Sequence, residues 1–461
     1  MKHQFDRLVL AAALLTATAP LHGEGTPPAP IRVSPDGRWF QHHDGRPFFW
    51  LGDTAWLLFQ KLDRAETERY LDDRRRKGFN IIQVMVLHTA ESRNQAGAAA
   101  LADGDAARPV RSAEGADYWS HIDWVLDRAA ARGLYLAMVP AWGSIVKGGR
   151  LNENNVEAYA RFLGERYGRR LNVVWLNGGD IQGDLKPNLW RALGRTLRSH
   201  TSGQLITFHP FGRTQSSTWF HTEPWLDFNM FQSGHRRYGQ DSTPGAKEED
   251  NWRYVEEDLA LKPAKPTLDG EPSYEHIPQG LHDPAEPRWT DRDARRYAYW
   301  AVLAGAAGHT YGHSSVMQMH KRTDVRASYG ATKTWDEALN DPGAGQMRHL
   351  KALVLSRPYF ERRNDQSLIA GSNGQRYDRV IAARGRDYAF IYTHTGRPFE
   401  VVMGRIRGRQ TRAWWFDPRT GLATGAGRIP NRGVRRFQPP VAGQDWVLVL
   451  DNSAAGFGPP A

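Results

Sequence analysis

From residue 45 to about residue 355 the sequence alternates short apolar runs with amphipathic helical patterns, and no other feature restricts the fold as tightly. A strand–helix repeat implies parallel pairing, because each helix must carry the chain back across the sheet. Eight runs read as strands: Phe48 to Leu51, Asn80 to Leu87, Leu134 to Val139, Val173 to Leu176, Leu205 to Phe208, Phe228 to Phe231, Thr267 to Leu268 and His309 to Tyr311. Between them, Ile122, Val125, Leu126, Ala129 and Ala130 fall at helical spacing, and Asn155 to Tyr167, Pro187 to Arg198 and Ala294 to Leu303 repeat the pattern. Gly78 and Gly133 stand where helix C-caps are expected. Eight such units predict an α/β fold, a (β/α)8 TIM barrel over residues 24–357, closed by a helix near Gln346 to Leu355. A doubly wound open sheet is the alternative, but its glycine-rich first turn is missing: Leu51-Gly52-Asp53-Thr54 holds one glycine. After Arg357-Pro358 the helical period stops. Short alternating stretches separated by Gly, Asp and Pro (Tyr388 to Tyr392, Phe399 to Met403, Thr411 to Phe416, Val434 to Phe437, Trp446 to Leu450) predict an all-β sandwich over residues 358–461.

Two of the barrel strands run out at a carboxylate. Asn172 to Asp180 is an apolar run that stops at Gly178-Gly179-Asp180, and Pro266 to Pro272 stops at Gly270-Glu271-Pro272. A glycine turn at the end of a strand projects the acid beyond the sheet instead of into a core. In a barrel the C-terminal strand ends form the active face. Asp180 then follows the fourth strand and Glu271 the seventh, 91 residues apart, so closure of the barrel is what brings them together. A carboxylate pair on one cavity is the requirement for glycosidic cleavage, with Asp180 as proton donor and Glu271 as nucleophile; in a retaining enzyme they stand about 5–5.5 Å apart. Glu275, four residues on, is the alternative nucleophile. Asp53 and Trp56, His88, Trp142, His209, Gln232 and His313 occupy the other strand ends and form the candidate substrate-binding set. The two tryptophans offer apolar faces for sugar rings.

Composition narrows the classes. The chain of 461 residues has no cysteine, which removes disulfides and thiolate metal sites. His309 and His313 are four apart, but no carboxylate or third histidine stands at ligand spacing, so neither metal nor cofactor is expected. No Gly-x-Ser-x-Gly elbow is present for serine hydrolase chemistry. The net charge of +11 is spread along the chain, densest at Arg74-Arg75-Arg76-Lys77 and Arg292 to Arg296 on helical patterns. It reads as solvated helix faces, or as attraction to an acidic polysaccharide; no recognition motif supports nucleic acid. Lys2 and Arg7, the apolar Leu8 to Leu15 and the small Ala17-Thr18-Ala19 read as a signal peptide over residues 1–23. That run is too short to span a bilayer, and export to a bacterial periplasm or exterior is expected.

Phe49-Trp50-Leu51-Gly52-Asp53-Thr54-Ala55-Trp56, Lys77-Gly78-Phe79-Asn80, Val174 to Asp180 and Asp269-Gly270-Glu271-Pro272-Ser273-Tyr274-Glu275 together resemble glycoside hydrolase family 140, the apiosidase-like enzymes. The tail, with Trp415-Phe416-Asp417-Pro418-Arg419-Thr420-Gly421 and Asp445 to Leu450, is similar to the β-domain named for collagen binding that often follows such barrels. The resemblance implies a retaining, exo-acting glycosidase with Asp180 as acid/base and Glu271 as nucleophile. Asn177, Tyr274 and Glu275, within these motifs, join the substrate-binding candidates. The family's best-known activity is release of apiose from a branched pectic polysaccharide, so a terminal apiose or related furanoside on a plant polysaccharide is the implied substrate. The competing reading is a non-catalytic carbohydrate-binding protein on a barrel scaffold.

Overall fold

All eight apolar runs form strands in the computed structural model, which describes residues 28–112, 117–243 and 245–460; the signal-peptide reading falls outside the described residues. The barrel strands are Trp50–Thr54 (β1), Ile81–Met85 (β2), Tyr135–Val139 (β3), Val173–Ile181 (β4), Ile206–Pro210 (β5), Asn229–Gln232 (β6), Thr267–Asp269 (β7) and Gly308–Tyr311 (β8). They run parallel in the order β5-β4-β3-β2-β1-β8-β7-β6. The seam between β5 and β6 is closed by Asp227 N–H donating to Ile206 O at 2.8 Å and Thr207 Oγ1 donating to Phe228 O at 2.5 Å. The longer helices are Arg64–Arg76 (α1), Tyr118–Ala130 (α2), Val156–Tyr167 (α3), Pro187–His200 (α4), Asn251–Ala260 (α5), Asp291–Ala304 (α6) and Pro342–Leu355 (α7). Among the described residues no helix is long and apolar enough to cross a membrane.

Alternation along each strand sorts the core into two layers. Ile81, Met85, Ala137, Val139, Val174 and Leu176 fill the barrel interior; Ile82, Val84, Leu136, Met138, Val173 and Trp175 pack outward on the helices. An antiparallel sheet of Ile31–Val33, Phe40–His42 and Pro47–Phe48 precedes the barrel and seats Phe40 on Trp50 and Phe228. Its strands have two or three residues, too short for periodicity to mark them.

Beyond the barrel, Val380–Arg384 (β9), Tyr388–Thr393 (β10), Phe399–Val402 (β11), Gln410–Phe416 (β12), Ala423–Pro430 (β13), Val434–Phe437 (β14) and Trp446–Asn452 (β15) build an antiparallel sandwich. The larger sheet runs β9-β10-β15-β12-β13, with Arg363–Asn364 on its β9 edge; β11 pairs with β14 in the smaller. Val380, Ala382, Ile391 and Leu448 meet Phe399, Val401 and Phe437 between the sheets. The opposite face, with Ile381, Phe390, Tyr392 and Val449, belongs to the same apolar cluster as α6 and α7 of the barrel. Burial on both faces explains why these strands are apolar at nearly every position. Tyr299 stacks on Tyr392 at 4.9 Å, Arg295 grips Asp445 through two bonds of 2.8 and 2.9 Å, and Arg357 does the same with Asp451 at 2.8 and 2.7 Å.

Candidate active site

Asp180 owes its position to a slip in register. Gly178 pairs with His209 and Ile181 with Pro210, so Gly179 and Asp180 bulge out of β4. The strand therefore continues past the point where the apolar run ends. Gly178 and Gly179 have φ of +93° and +122°, and Asp180 itself has φ +49°. A Cβ on Gly179 would lie 2.9 Å from the Trp142 ring and 3.0 Å from Val139, so glycine is required for space as well as conformation. The Asp180 N–H points at His209 Nδ1, 3.4 Å away.

Glu271 sits two residues past the end of β7, 7% exposed, beneath two histidines. His235 Nε2 is 3.1 Å from Oε1 and His209 Nε2 is 3.4 Å from Oε2. Asp180 and Glu271 line one cavity of about 340 Å³, together with Trp56, His88, Trp142, Gln232 and His235. Trp56 and Trp142 pack on each other at 5.3 Å, and each lies within 6 Å of the His209 ring. Phe211, Arg213, Arg236, His282 and Tyr329 complete the walls.

The two carboxyls are pushed in opposite directions. Burial raises Asp180 above its usual range, and the negative charge of Glu271 adds to the push. Burial acts the same way on Glu271, but the close contacts of His209 and His235 with its two oxygens outweigh it and hold the group at about 2. The pair is thus split, Asp180 shifted toward its protonated form and Glu271 toward its ionised form, the direction in which a general acid and a carboxylate partner differ.

Six predicted residues therefore meet in the cavity: Asp180, Glu271, Trp56, His88, Trp142 and Gln232. The other six do not line it. Asp53 points outward from β1 and is fully buried, bonded to Arg74 Nε at 2.6 Å and the Tyr70 hydroxyl at 2.5 Å on α1. Asn177 likewise faces outward and donates to Trp190 O on α4 at 2.9 Å. Both stand near a strand end, but on the wrong side of the pleat. Glu275, the alternative nucleophile, stands outside the cavity lining: it binds the Tyr311 hydroxyl and the Gly343 N–H, and burial pushes it up to about 7. His313 caps a short helix through Ser315 N–H and pairs with Asp341 at 2.9 Å. His209 and Tyr274 are fully buried beside lining residues, His209 against Glu271 and Tyr274 against the His235 ring at 4.7 Å. Sequence reading missed His235. It lies on the segment after β6, where no period exists, although Gly234-His235 repeats the glycine-then-polar step of the other two turns. Among the described residues no group of three or more His, Asp or Glu is arranged to hold a metal ion.

The barrel and its opposed carboxyl pair define a glycosidase, and comparison with known proteins gives the family. A family model described as "Apiosidase-like, catalytic domain" matches residues 34–361, and one described as "Putative collagen-binding domain of a collagenase" matches residues 364–451. The chain belongs to the apiosidase-like family. A solved structure described as a glycoside hydrolase is 48% identical, with a TM-score of 0.90 over 93% of this chain and 98% of its own. Another, described as a glycoside hydrolase family 5 protein from Bacteroides vulgatus, is 46% identical, with a TM-score of 0.91 over 94% and 95%. No curated protein matches.

Proposed function

We propose that the protein is a retaining, exo-acting glycoside hydrolase that releases a terminal sugar, apiose or a related furanoside, from a pectic or other plant polysaccharide. The observation that carries this reading is that Asp180 and Glu271 line one cavity, where burial pushes the first up and two histidines hold the second down. Glu271 attacks the anomeric carbon while the Asp180 carboxyl protonates the departing glycosidic oxygen. Asp180, now a carboxylate, takes a proton from water as that water displaces Glu271, and the free sugar leaves with its anomeric configuration kept. The His209 and His235 contacts favour the ionised nucleophile and fix its two oxygens. Walls formed by Tyr329, His282 and Phe211 suit a chain end entering from solvent rather than a polymer threading through. Arg213 and Arg236 line the cavity but pair with Asp241 at 2.6 and 3.9 Å, so the case for an acidic polymer around the scissile sugar rests on the net charge of +11. The leader-like start supports action outside the cytoplasm.

The test is a pair of conservative variants screened on aryl furanosides and pectic oligosaccharides. Glu271→Gln is expected to lose turnover while still binding oligosaccharide, and Asp180→Asn to lose turnover chiefly on poor leaving groups. A Glu271→Gln enzyme with near wild-type kcat contradicts the reading.

A further inference from the structure

The segment from Ser233 to Asp250, between β6 and α5, carries His235 at one end and meets the β-sandwich at the other. Tyr238 and Glu249 of this segment are tied to Arg296 of α6 and to Tyr377 of the sandwich. The Glu249 carboxyl is fully buried and accepts from the Tyr238 N–H at 2.7 Å and from the Tyr377 hydroxyl at 2.8 Å. Its other oxygen pairs with Arg296 at 2.6 Å, both side chains having no exposure. The Arg296 guanidinium lies over the rings of Tyr377 and Trp289, and the Trp289 indole N–H donates to His235 O at 3.0 Å. Tyr377 also meets the Tyr238 ring edge-on at 5.2 Å, and Arg376 covers the same ring at 5.1 Å. Arg376 reaches that place from a left-handed φ of +49°, a conformation a non-glycine residue adopts at a penalty. Tyr377 and Arg376 lie in the stretch matched by the second family model, and neither lines the cavity.

We infer that the β-sandwich braces the catalytic apparatus: Tyr377 is a positioning residue that, through Glu249, Arg296 and Trp289, holds the His235 segment against Glu271. The claim rests on Glu271 being the nucleophile. Two independent ties reach His235 from this junction. One runs along three residues of backbone from Tyr238, and the other crosses from Arg296 to Trp289. A buried charge pair has few alternative arrangements, so the junction is stiff while the Glu249 carboxyl keeps Arg296 on one oxygen and its two donors on the other. Removing the Tyr377 hydroxyl takes one of two donors from Glu249 Oε1 and loosens the carboxyl that holds the Tyr238 N–H.

The experiment uses the full chain with Tyr377→Phe and Tyr377→Ala, each in the wild-type and His235→Ala backgrounds. Tyr377 is 39% exposed, and the Phe variant keeps the ring, so folding is retained. Hydrogen exchange at residues 233–240 reads the brace itself: faster exchange is expected there, with β1 to β4 unchanged. Steady-state kinetics read its consequence: kcat falls about tenfold with KM changed less, since ångström-scale misplacement of a catalytic group suffices for such a loss. The acid limb of kcat/KM moves to higher pH, because His235 no longer holds Glu271 ionised. In the His235→Ala background neither kinetic effect should appear. Unchanged exchange overturns the brace. Faster exchange with unmoved kcat and acid limb, or equal losses in the His235→Ala background, overturns its catalytic role. Failure of the nucleophile assignment would show separately, as turnover by Glu271→Gln, and leaves the exchange result standing.

Discussion

Asp180 and Glu271 have the same functional group and are shifted in opposite directions, and the difference comes from their neighbours. Glu271 has two imidazoles against its oxygens; Asp180 has burial and the charge of Glu271. This fixes the pH dependence. In the proposed mechanism the active form has Asp180 protonated and Glu271 ionised, so kcat/KM should decline as pH rises through the elevated Asp180 pKa. On the acid side it should hold until Glu271 takes its proton, near 2, or the fold fails. With an activated aryl leaving group, Asp180→Ala should erase the alkaline limb for the glycosylation step; a limb that persists assigns it to another group. The same shift bears on stability. A raised folded-state pKa means that the folded protein favours the protonated carboxyl, so stability is lost as pH rises through that pKa. Asp180→Asn should therefore raise the melting temperature at neutral pH while lowering turnover on poor leaving groups, and an unchanged or lower melting temperature would show that the charge is not strained. Among residues, the acids at glycine turns were legible because the turn chemistry is local. Asp53 and Asn177 were misplaced because nearness to a strand end says nothing about which face of the pleat a side chain takes.

Among the elements, the bulge on β4 is what turns a barrel strand into a catalytic one. Without it, alternation would continue through residues 178–181 and Asp180 would take its side from the pleat. Gly179→Ala puts a Cβ at 2.9 Å from Trp142 on a backbone with φ +122°. We expect a loss of about 1–3 kcal/mol in urea unfolding and a fall in kcat of about a hundredfold from displacement of Asp180. A variant with normal kcat would show that the bulge does not position the acid. The eight strands were readable because each is a burst of apolar residues bounded by helix signals. The bulge was not, since Gly-Gly-Asp also reads as a plain turn, and closure across β5 and β6 is a tertiary event that leaves no local mark. His235 stayed hidden on an aperiodic segment for the same reason.

In the whole molecule the barrel and sandwich share one apolar cluster, so neither surface at the junction is built for water. The two bidentate arginine–aspartate pairs at that junction are nearly solvent-free, Arg357 and Asp451 at 2% each. Asp451→Ala strands a buried guanidinium and should destabilise the protein by about 3–5 kcal/mol; the paired change Arg357→Met with Asp451→Leu should recover much of that in denaturant titration. A harmless Asp451→Ala would mean that the junction is wetter than its burial indicates. The change from barrel to sandwich was legible from the loss of helical period, but the contact of Tyr377 with the His235 segment joins residues 128 or more positions apart and has no signature in either stretch. The central claim, a carboxylate pair working by double displacement, is tested most directly by product stereochemistry. Proton NMR should follow hydrolysis of a furanoside substrate identified by the screen, with the anomeric signal recorded before mutarotation. The account predicts that the first sugar released has the anomeric configuration of the substrate; first release of the opposite anomer would contradict it.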